Sequence, residues 1–269
     1  MLNLWRWLDF FTFRPILLLQ YLRQTPVTDD RDSLYADPLS GPGMFTFDDS
    51  VARVFPDMIK RSVPGYATIV AMTGLLAGRY AMAGSNLYDL GCSLGASTLA
   101  MRQNIQAPRC RIISVDNSRA MLERCQTLID TDTHDTPVAL TCADLQDIAV
   151  EKASVVVLNF TLQFIPREAR DAVIERIYRG LRPGGIMVLS EKVTFEDPHL
   201  DALNIDLHHQ FKRANGYSDM EVARKRSALE NVLLPETLSR HKRRIADAGF
   251  QSCDVWFQCF NFASLVALK

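Results

Sequence analysis

The sequence predicts an α/β protein, in which helices flank a mostly parallel sheet that is closed by an antiparallel hairpin and covered by a helical lid. Three observations lead to this prediction. Between residues 86 and 190, short apolar runs alternate with segments of helical period, which is typical of a parallel sheet. Residues 195–245 interrupt this alternation with polar, mainly helical sequence. Two final apolar runs, joined by a short link, predict the hairpin.

Composition limits the class of protein and its environment. The chain has 269 residues, of which 48% are hydrophobic, so it can bury a large core. Its formal net charge of −1 gives no overall positive field of the kind that drives nucleic-acid binding. Its six cysteines form no C-x-x-C pair, which argues against zinc and disulfides and favours a cytoplasmic location. We predict one domain over residues 31–269, with a lid at about 195–245 and no metal.

Residues 1–30 differ in composition from the rest of the chain. They are aromatic and apolar but are interrupted by Asp9, Arg14 and Pro15, so no run approaches the ~20 apolar residues that span a bilayer. They also lack the basic start and the small-residue cleavage site of a signal peptide. An amphipathic surface helix is one interpretation. We favour an extension outside the core, with no membrane association, followed by a polar loop.

Two helical segments, at residues 48–60 and 67–80, precede the first predicted strand. Pro56 is expected to break or kink the first of them, and a Val-Pro-Gly turn delivers Tyr66 to the second. This order bears on the Gly-x-Ser-x-Gly sequence at residues 91–95. An α/β-hydrolase places several strands ahead of its nucleophile elbow, and here almost none are available.

The chain is organised around residues 86–99, where an apolar strand ends on Asp89 and Gly91, Ser93 and Gly95 follow before a helix. Such a turn brings a nucleotide-type ligand against backbone N–H groups, because glycine has no Cβ to hold it off. An S-adenosylmethionine turn, a dinucleotide fingerprint and a nucleophile elbow compete as interpretations. The turn lacks G-x-G-x-x-G, and Asp89 would repel a pyrophosphate but suits a cationic amino group or sulfonium.

The next three predicted strands also end on Asp or Asn. Asp116 can accept both ribose hydroxyls of an adenosine. Asp144 can accept from the adenine amino group while the N–H of Leu145 serves a ring nitrogen, and Asn159 can bind the methionine end or a reacting group. These endings favour an adenosyl sulfonium over NAD. The predicted strands cover residues 111–118, 138–145, 154–161 and 186–190, with helices at 119–130 and 167–179.

These motifs carry a family resemblance. Residues 89–95, 115–117, 144–145 and 181–185 resemble the class I S-adenosylmethionine-dependent methyltransferase pattern. That resemblance implies a Rossmann-like fold with a seven-stranded sheet and a reversed terminal strand. From about residue 31 to the C-terminus, the chain is also similar to the carboxy-S-adenosyl-L-methionine synthase family. The segments that carry this closer resemblance are 46–48, 54–59, 61–66, 88–95, 157–164, 189–192, 211–218 and 256–262.

The closer resemblance implies a reaction other than methyl transfer. S-adenosyl-L-methionine and prephenate would give carboxy-S-adenosyl-L-methionine and phenylpyruvate, and a separate carboxymethyltransferase would use the product on tRNA wobble uridine (cmo5U34). The resemblance also implies a homodimer and assigns the new carboxylate to Arg226, for which a solvated helix face is the alternative interpretation. The residues that match the family's cofactor contacts are Tyr66, Gly91, Cys92, Ser93, Asp116, Asn117, Asp144, Leu145 and Asn159.

Two other functions stay open from the residues alone. One is an ordinary S-adenosylmethionine-dependent methyltransferase acting on a small acid, and the other is a non-catalytic S-adenosylmethionine-binding partner of a tRNA-modifying enzyme. The basic run at residues 240–244 is interpreted as a solvated helix face, so no tight direct tRNA binding is expected. Several lid residues are candidate contacts for dianionic prephenate: His208, His209, Lys212, Arg213 and Tyr217.

Overall fold

A computed structural model of the chain describes residues 30–36, 45–229 and 232–269. Its strands are β1 (Asn86–Leu90), β2 (Arg111–Asp116), β3 (Val138–Cys142), β4 (Ala153–Asn159), β5 (Leu181–Thr194), β6 (Glu236–Thr237), β7 (Ser252–Cys259) and β8 (Phe262–Leu268). Seven of them are ordered β3-β2-β1-β4-β5-β8-β7, and β6 pairs with the end of β5. Since β8 alone runs antiparallel to both its neighbours among these described strands, the predicted sheet with a reversed terminal strand is confirmed.

Some of the described helices begin at a residue whose side chain caps them. Asp48 accepts from the N–H of Val51 at the first helix, and Ser118 accepts from the N–H of Met121 at the fourth. The described helices are α1 (Asp49–Ser62), α2 (Tyr66–Tyr80), α3 (Ala96–Asn104), α4 (Arg119–Thr131), α5 (Arg170–Gly180), α6 (Pro198–Ala214), α7 (Asp219–Leu229) and α8 (Leu238–Asp247).

Pro56 lies inside α1, so the helix does not break at this proline, and a kink there stays a prediction. A proline removes one hydrogen bond of the helix. In α1, Val54 and Met58 on either side of it are buried in a cluster that also contains Phe45. Burying such side chains stabilises by about 1.5–3 kcal/mol each, which offsets the missing bond.

The core lies on both faces of the sheet, and β4 shows how. Val155 and Val157 pack in the cluster that contains α2 and α3 residues, whereas Val156 and Leu158 pack in the cluster that contains α5 residues. All four side chains are fully buried. A strand covered on both faces reads as a continuous apolar run, as this one does.

The predicted lid at residues 195–245 divides into two parts. Ile245, on α8, is fully buried in the main core cluster, so α8 belongs to the layer of helices on the sheet. The α6–α7 segment, residues 198–229, lies outside the strand–helix alternation, and Ala228 packs in the cluster that contains α1 residues. That this segment closes over a ligand stays a prediction.

Most of the predicted N-terminal extension, residues 1–29, lies outside the described residues. The extent of the domain, residues 31–269, therefore stays a prediction. Among the described helices, none is both long and apolar enough to cross a membrane.

Candidate active site

The turn at residues 91–95 joins β1 to α3 in a conformation that favours glycine. Gly91 and Gly95 have φ values of 82° and 83°, and Ser93 has a φ of 50°. A Cβ on Gly91 would lie 2.3 Å from the Cγ2 and Oγ1 atoms of Thr161. A side chain at Gly91 would therefore strain the backbone and would also collide with the loop that follows β4.

The N–H groups of this turn are used inside the protein. Those of Gly91 and Cys92 donate to the carbonyl of Val115 at 2.8 and 2.9 Å, and that of Gly95 donates to the Cys92 carbonyl. Our expectation that the turn's N–H groups face a ligand is therefore wrong for these three. A pyrophosphate needs such donors, so this arrangement disfavours a dinucleotide.

Asp116 fixes the turn to the end of β2. Its carboxylate accepts from the N–H of Ser93 at 2.8 Å and from the N–H of Ser118 at 2.9 Å. Burial raises its pKa. A carboxylate has about four lone-pair sites, so Asp116 keeps acceptor capacity for ribose hydroxyls. Asn117 is exposed beside it.

Asp89 lies behind the turn and not on its surface. It is 1% exposed, and its carboxylate accepts from the hydroxyl of Thr98 at 2.6 Å. Burial raises the pKa of Asp89 to about 7, and the nearby charge of Asp116 adds to the shift. A contact between Asp89 and a cationic ligand group stays a prediction.

Asp144 and Leu145 follow β3, as the sequence predicted for an adenine-binding pair. The Asp144 carboxylate accepts from the N–H of Gln146 at 2.8 Å and begins a short 3₁₀ helix. The Leu145 side chain is buried in the core.

Cys92, in the glycine turn, is also buried, and a hydrogen bond with Cys125 raises the pKa of its thiol well above the usual range. A thiol in this state is no nucleophile.

Asn159 is the last residue of β4, and both the nitrogen and the oxygen of its side-chain amide form hydrogen bonds. Its Nδ2 donates to the hydroxyl of Ser97 at 2.9 Å, and its Oδ1 accepts from Ser190 at 2.6 Å. The Tyr66 ring lies 6.2 Å from the ring of Phe160, the residue after Asn159. Apart from Tyr66, which begins α2, the predicted cofactor contacts thus lie at the carboxyl ends of β1 to β4, along one edge of the sheet.

Arg226 lies apart from that edge, exposed on α7. It lines a surface cavity of about 650 Å³ together with His209 and with Arg213, whose Nε lies 2.5 Å from Asp219. Burial, followed by the charge of Arg226, lowers the pKa of Lys192 near the end of β5. The positive charge of Arg226 thus acts on Lys192.

Two other candidate prephenate contacts in the lid, His208 and Lys212, are buried. The Nε2 of His208 lies 2.8 Å from the carbonyl of Ser62, and its ring packs 4.8 Å from that of Phe262. Burial lowers its pKa, so His208 is a neutral core residue. Lys212 is 7% exposed, and burial, followed by the charges of neighbouring lysines, lowers its pKa to about 7.

Asp32 lies in the segment that we interpreted as a polar loop, and we predicted no role for it. Asp32 is 2% exposed, and its carboxylate contacts Lys225 and Tyr217. No local pattern marks it, because its partners are 185 and 193 residues away in the sequence. No cluster of three or more metal-binding side chains occurs within the described residues.

The fold and the glycine turn define a class of protein. A family model described as a methyltransferase domain matches residues 87–185. Human N-acetylserotonin methyltransferase in complex with SAM matches with a TM-score of 0.53 at 16% identity, over 82% of this chain and 55% of that one. An O-methyltransferase family 2 protein from Planctomyces limnophilus matches with a TM-score of 0.57 at 17% identity, over 94% and 65%. The fold is that of class I S-adenosylmethionine-dependent methyltransferases.

The curated relatives are much more similar. The carboxy-S-adenosyl-L-methionine synthase of Trichlorobacter lovleyi is 60% identical over 244 residues, which cover 90% of this chain and 100% of the relative. That of Aliivibrio fischeri is 58% identical over 238 residues, covering 88% and 98%. The chain belongs to the carboxy-S-adenosyl-L-methionine synthase family and is an enzyme, so the resemblance found in the sequence is confirmed.

Proposed function

We propose that this enzyme converts S-adenosyl-L-methionine and prephenate into carboxy-S-adenosyl-L-methionine, phenylpyruvate and water. The observation that carries the proposal is the exposed Arg226 on α7, which lines a surface cavity of about 650 Å³ together with His209 and Arg213. An ordinary methyltransferase makes no new carboxylate on the sulfonium and has no use for a cation there.

The sheet edge supplies the adenosyl half of the site. Asp116 accepts the ribose hydroxyls, since its two backbone bonds leave acceptor sites. Asp144 and the N–H of Leu145 meet the adenine. Gly91 allows the turn to pack against Thr161, because a Cβ at this position would collide with the Thr161 side chain.

The proposed reaction builds one carbon–carbon bond. Prephenate becomes aromatic by releasing carbon dioxide and hydroxide, which leaves phenylpyruvate. The hydroxide removes a proton from the sulfonium methyl group and becomes water. The methyl carbon then uses the freed electron pair to attack carbon dioxide. A closed pocket keeps both fragments from escaping into water.

Arg226 binds the carboxylate that this reaction creates. A guanidinium presents a planar fork that can hold both carboxylate oxygens and stays charged at every relevant pH. Positive charge around it also attracts dianionic prephenate. His209 lines the same cavity as Arg226. The charge of Arg226 helps to lower the pKa of Lys192, and the charge of Lys192 helps to lower that of Lys212.

The product would leave for a separate tRNA carboxymethyltransferase in the cytoplasm, and the enzyme would work as a homodimer without binding tRNA tightly. The charges of α8 support the last point. Arg240 pairs with Asp171 at 2.8 Å, and Lys242 pairs with Asp254 at 2.7 Å. Such compensated charges offer little attraction to a phosphate backbone.

Mass spectrometry of a reaction with S-adenosylmethionine and prephenate tests the proposal. We expect carboxy-S-adenosylmethionine and phenylpyruvate in equal amounts. With ¹³C in the ring carboxylate of prephenate, the product carries the label, and added ¹³C-bicarbonate does not enter it. A reaction without prephenate is the control.

Two results would contradict the proposal. S-adenosylhomocysteine in place of the carboxylated product would indicate a methyltransferase acting on a small acid. Tight S-adenosylmethionine binding without any turnover would indicate a non-catalytic binding partner.

A further inference from the structure

A buried ion pair ties the segment before α1 to helix α7. The Nζ of Lys225 lies 3.0 Å from the Oδ2 of Asp32, and the two side chains are 5% and 2% exposed. The hydroxyl of Tyr217 donates to the same Oδ2 at 2.5 Å. Burial, followed by the Asp32 hydrogen bond, raises the pKa of Tyr217, which keeps its hydroxyl protonated.

Arg61 of α1 extends this cluster to the loop between α6 and α7. Its guanidinium lies 3.8 Å from the centre of the Tyr217 ring, and its Nε donates to the carbonyl of Asn215 at 2.7 Å. Its Nη1 donates to the Asp32 carbonyl at 3.2 Å and to Asp57 at 3.0 Å. Asp57 in turn accepts from the N–H of Asp32 at 2.8 Å. The segment, α1 and the loop are therefore joined by a continuous polar network.

The buried face of α7 depends on the central member of this network. Val222, Lys225 and Ala228, spaced three residues apart, are its buried side chains. The middle one of these three residues, Lys225, is charged, and the carboxylate of Asp32 neutralises it. A buried charge without a partner is strongly destabilising.

Arg226 follows Lys225 directly, and successive helix residues are turned by about 100° around the axis. Lys225 therefore faces the protein while Arg226 faces the surface cavity. Any rotation of α7 that carried Lys225 towards water would carry Arg226 away from its place.

We propose that Asp32 is a positioning residue, which neutralises Lys225 and thereby holds α7 in the orientation in which Arg226 meets the product carboxylate. This inference rests on the proposed role of Arg226. It gives the segment at residues 30–36, far from Arg226 in the sequence, a part in distinguishing the carboxylated from the unmodified ligand.

Calorimetric titration of both ligands tests the inference. In Asp32→Asn, the preference for carboxy-S-adenosylmethionine over S-adenosylmethionine should fall about tenfold, the size of coupling found within one polar network. Affinity for S-adenosylmethionine itself should stay within about twofold, because the sheet edge is untouched. Adding Lys225→Met should restore part of the preference, since it removes the unpaired charge.

Two further variants separate positioning from loss of stability. Asp132→Asn also removes a carboxylate from a poorly exposed ion pair, 3.2 Å from Arg102 between α3 and the end of α4, and should leave the preference unchanged. Tyr217→Phe removes only a hydroxyl and should lower the preference about threefold, so it serves if Asp32→Asn fails to fold.

The outcomes also distinguish this inference from the proposed function. If Arg226→Leu abolishes the preference while Asp32→Asn and Tyr217→Phe keep it, the positioning role is wrong and the role of Arg226 stands. A loss in Asp32→Asn that Lys225→Met does not relieve would overturn the charge-based explanation. If Arg226→Leu keeps the preference, both proposals fail.

Discussion

The carboxyl edge of the sheet and the α6–α7 segment hold their charged groups in different ways. At the sheet edge, Asp89 and Asp116 accept hydrogen bonds from a hydroxyl and from backbone N–H groups, and burial raises the pKa of both. In the α6–α7 segment, Lys225 is buried against the carboxylate of Asp32.

The two regions also differ in how far apart in the sequence the partners of their charged groups lie. The carboxylates of Asp89 and Asp116 at the sheet edge bond to partners 2 to 23 residues away in the sequence. The orientation of α7 depends on partners more than 150 residues away. Substitutions at the edge should therefore affect every adenosyl ligand, whereas substitutions around α7 should affect only a ligand that carries the extra carboxylate.

The largest effect is expected from Gly91→Ala. Its Cβ would lie 2.3 Å from Thr161 at a φ of 82°, so we expect a loss of about 2–4 kcal/mol in unfolding free energy and loss of ligand binding. Urea denaturation and calorimetry measure both. Gly84→Ala is the matched control, because Gly84 has a φ of 66° but no atom within 4 Å of its Cβ position. An equal effect in both variants would mean that the close contact is unimportant.

Asp116→Asn should weaken S-adenosylmethionine and carboxy-S-adenosylmethionine together, by about 30-fold, because hydrogen bonds to a charged group are worth about 1.5–3 kcal/mol. Exposed Asp135→Asn should change neither affinity. A selective loss of the carboxylated ligand in Asp116→Asn would remove the distinction between the two regions.

Glu191 on β5 extends the contrast to pH dependence. It is fully buried, and burial raises its pKa from 4.5 to about 8 against the opposing charge of Arg170. The folded state keeps this proton where the unfolded state has lost it, so stability falls as pH rises from about 4.5 to 8.

Glu191→Gln should therefore gain stability relative to the wild type as the pH rises over this range, by up to about 5 kcal/mol at pH 8. Glutamine keeps an acceptor for the N–H of Leu162, which lies 3.0 Å from Oε1. Urea denaturation at pH 5, 6, 7 and 8 measures the difference. Parallel stability curves for the two proteins would show that Glu191 does not hold the proton.

The smallest effect is expected at α8, which follows the lid segment but packs on the sheet. Arg240→Gln and Lys242→Gln remove exposed ion pairs and should leave turnover within about twofold. The wild type should give no salt-dependent mobility shift with tRNA at submicromolar concentration. A shift that these substitutions abolish would make α8 a tRNA-binding surface.

Much of the sheet was predictable because its signals are local. The apolar period gave β1, β2 and β4 within about two residues of their observed ends. β5 is longer than predicted, Leu181–Thr194 instead of residues 186–190, because Leu181 already pairs with Ala153 ahead of the Pro-Gly-Gly sequence.

The environment of the site residues was less predictable. Nothing in the sequence indicated that Asp89 would accept a hydrogen bond from Thr98. Nor did it indicate that the N–H groups of Gly91 and Cys92 would donate to the carbonyl of Val115 on β2. Asp32 was missed entirely. These features depend on tertiary contacts, which neither periodicity nor spacing encodes.

The most direct test of the account is the affinity of Arg226→Leu for the two ligands. We predict that S-adenosylmethionine binds within about twofold of the wild type, while carboxy-S-adenosylmethionine binds at least about 30-fold more weakly, since a charged hydrogen-bonded pair is lost. Arg226→Lys should retain part of the preference, because it keeps the charge without the planar fork. Equal weakening of both ligands in Arg226→Leu would contradict the account, because Arg226 would then support the fold of the site without recognising the carboxylate.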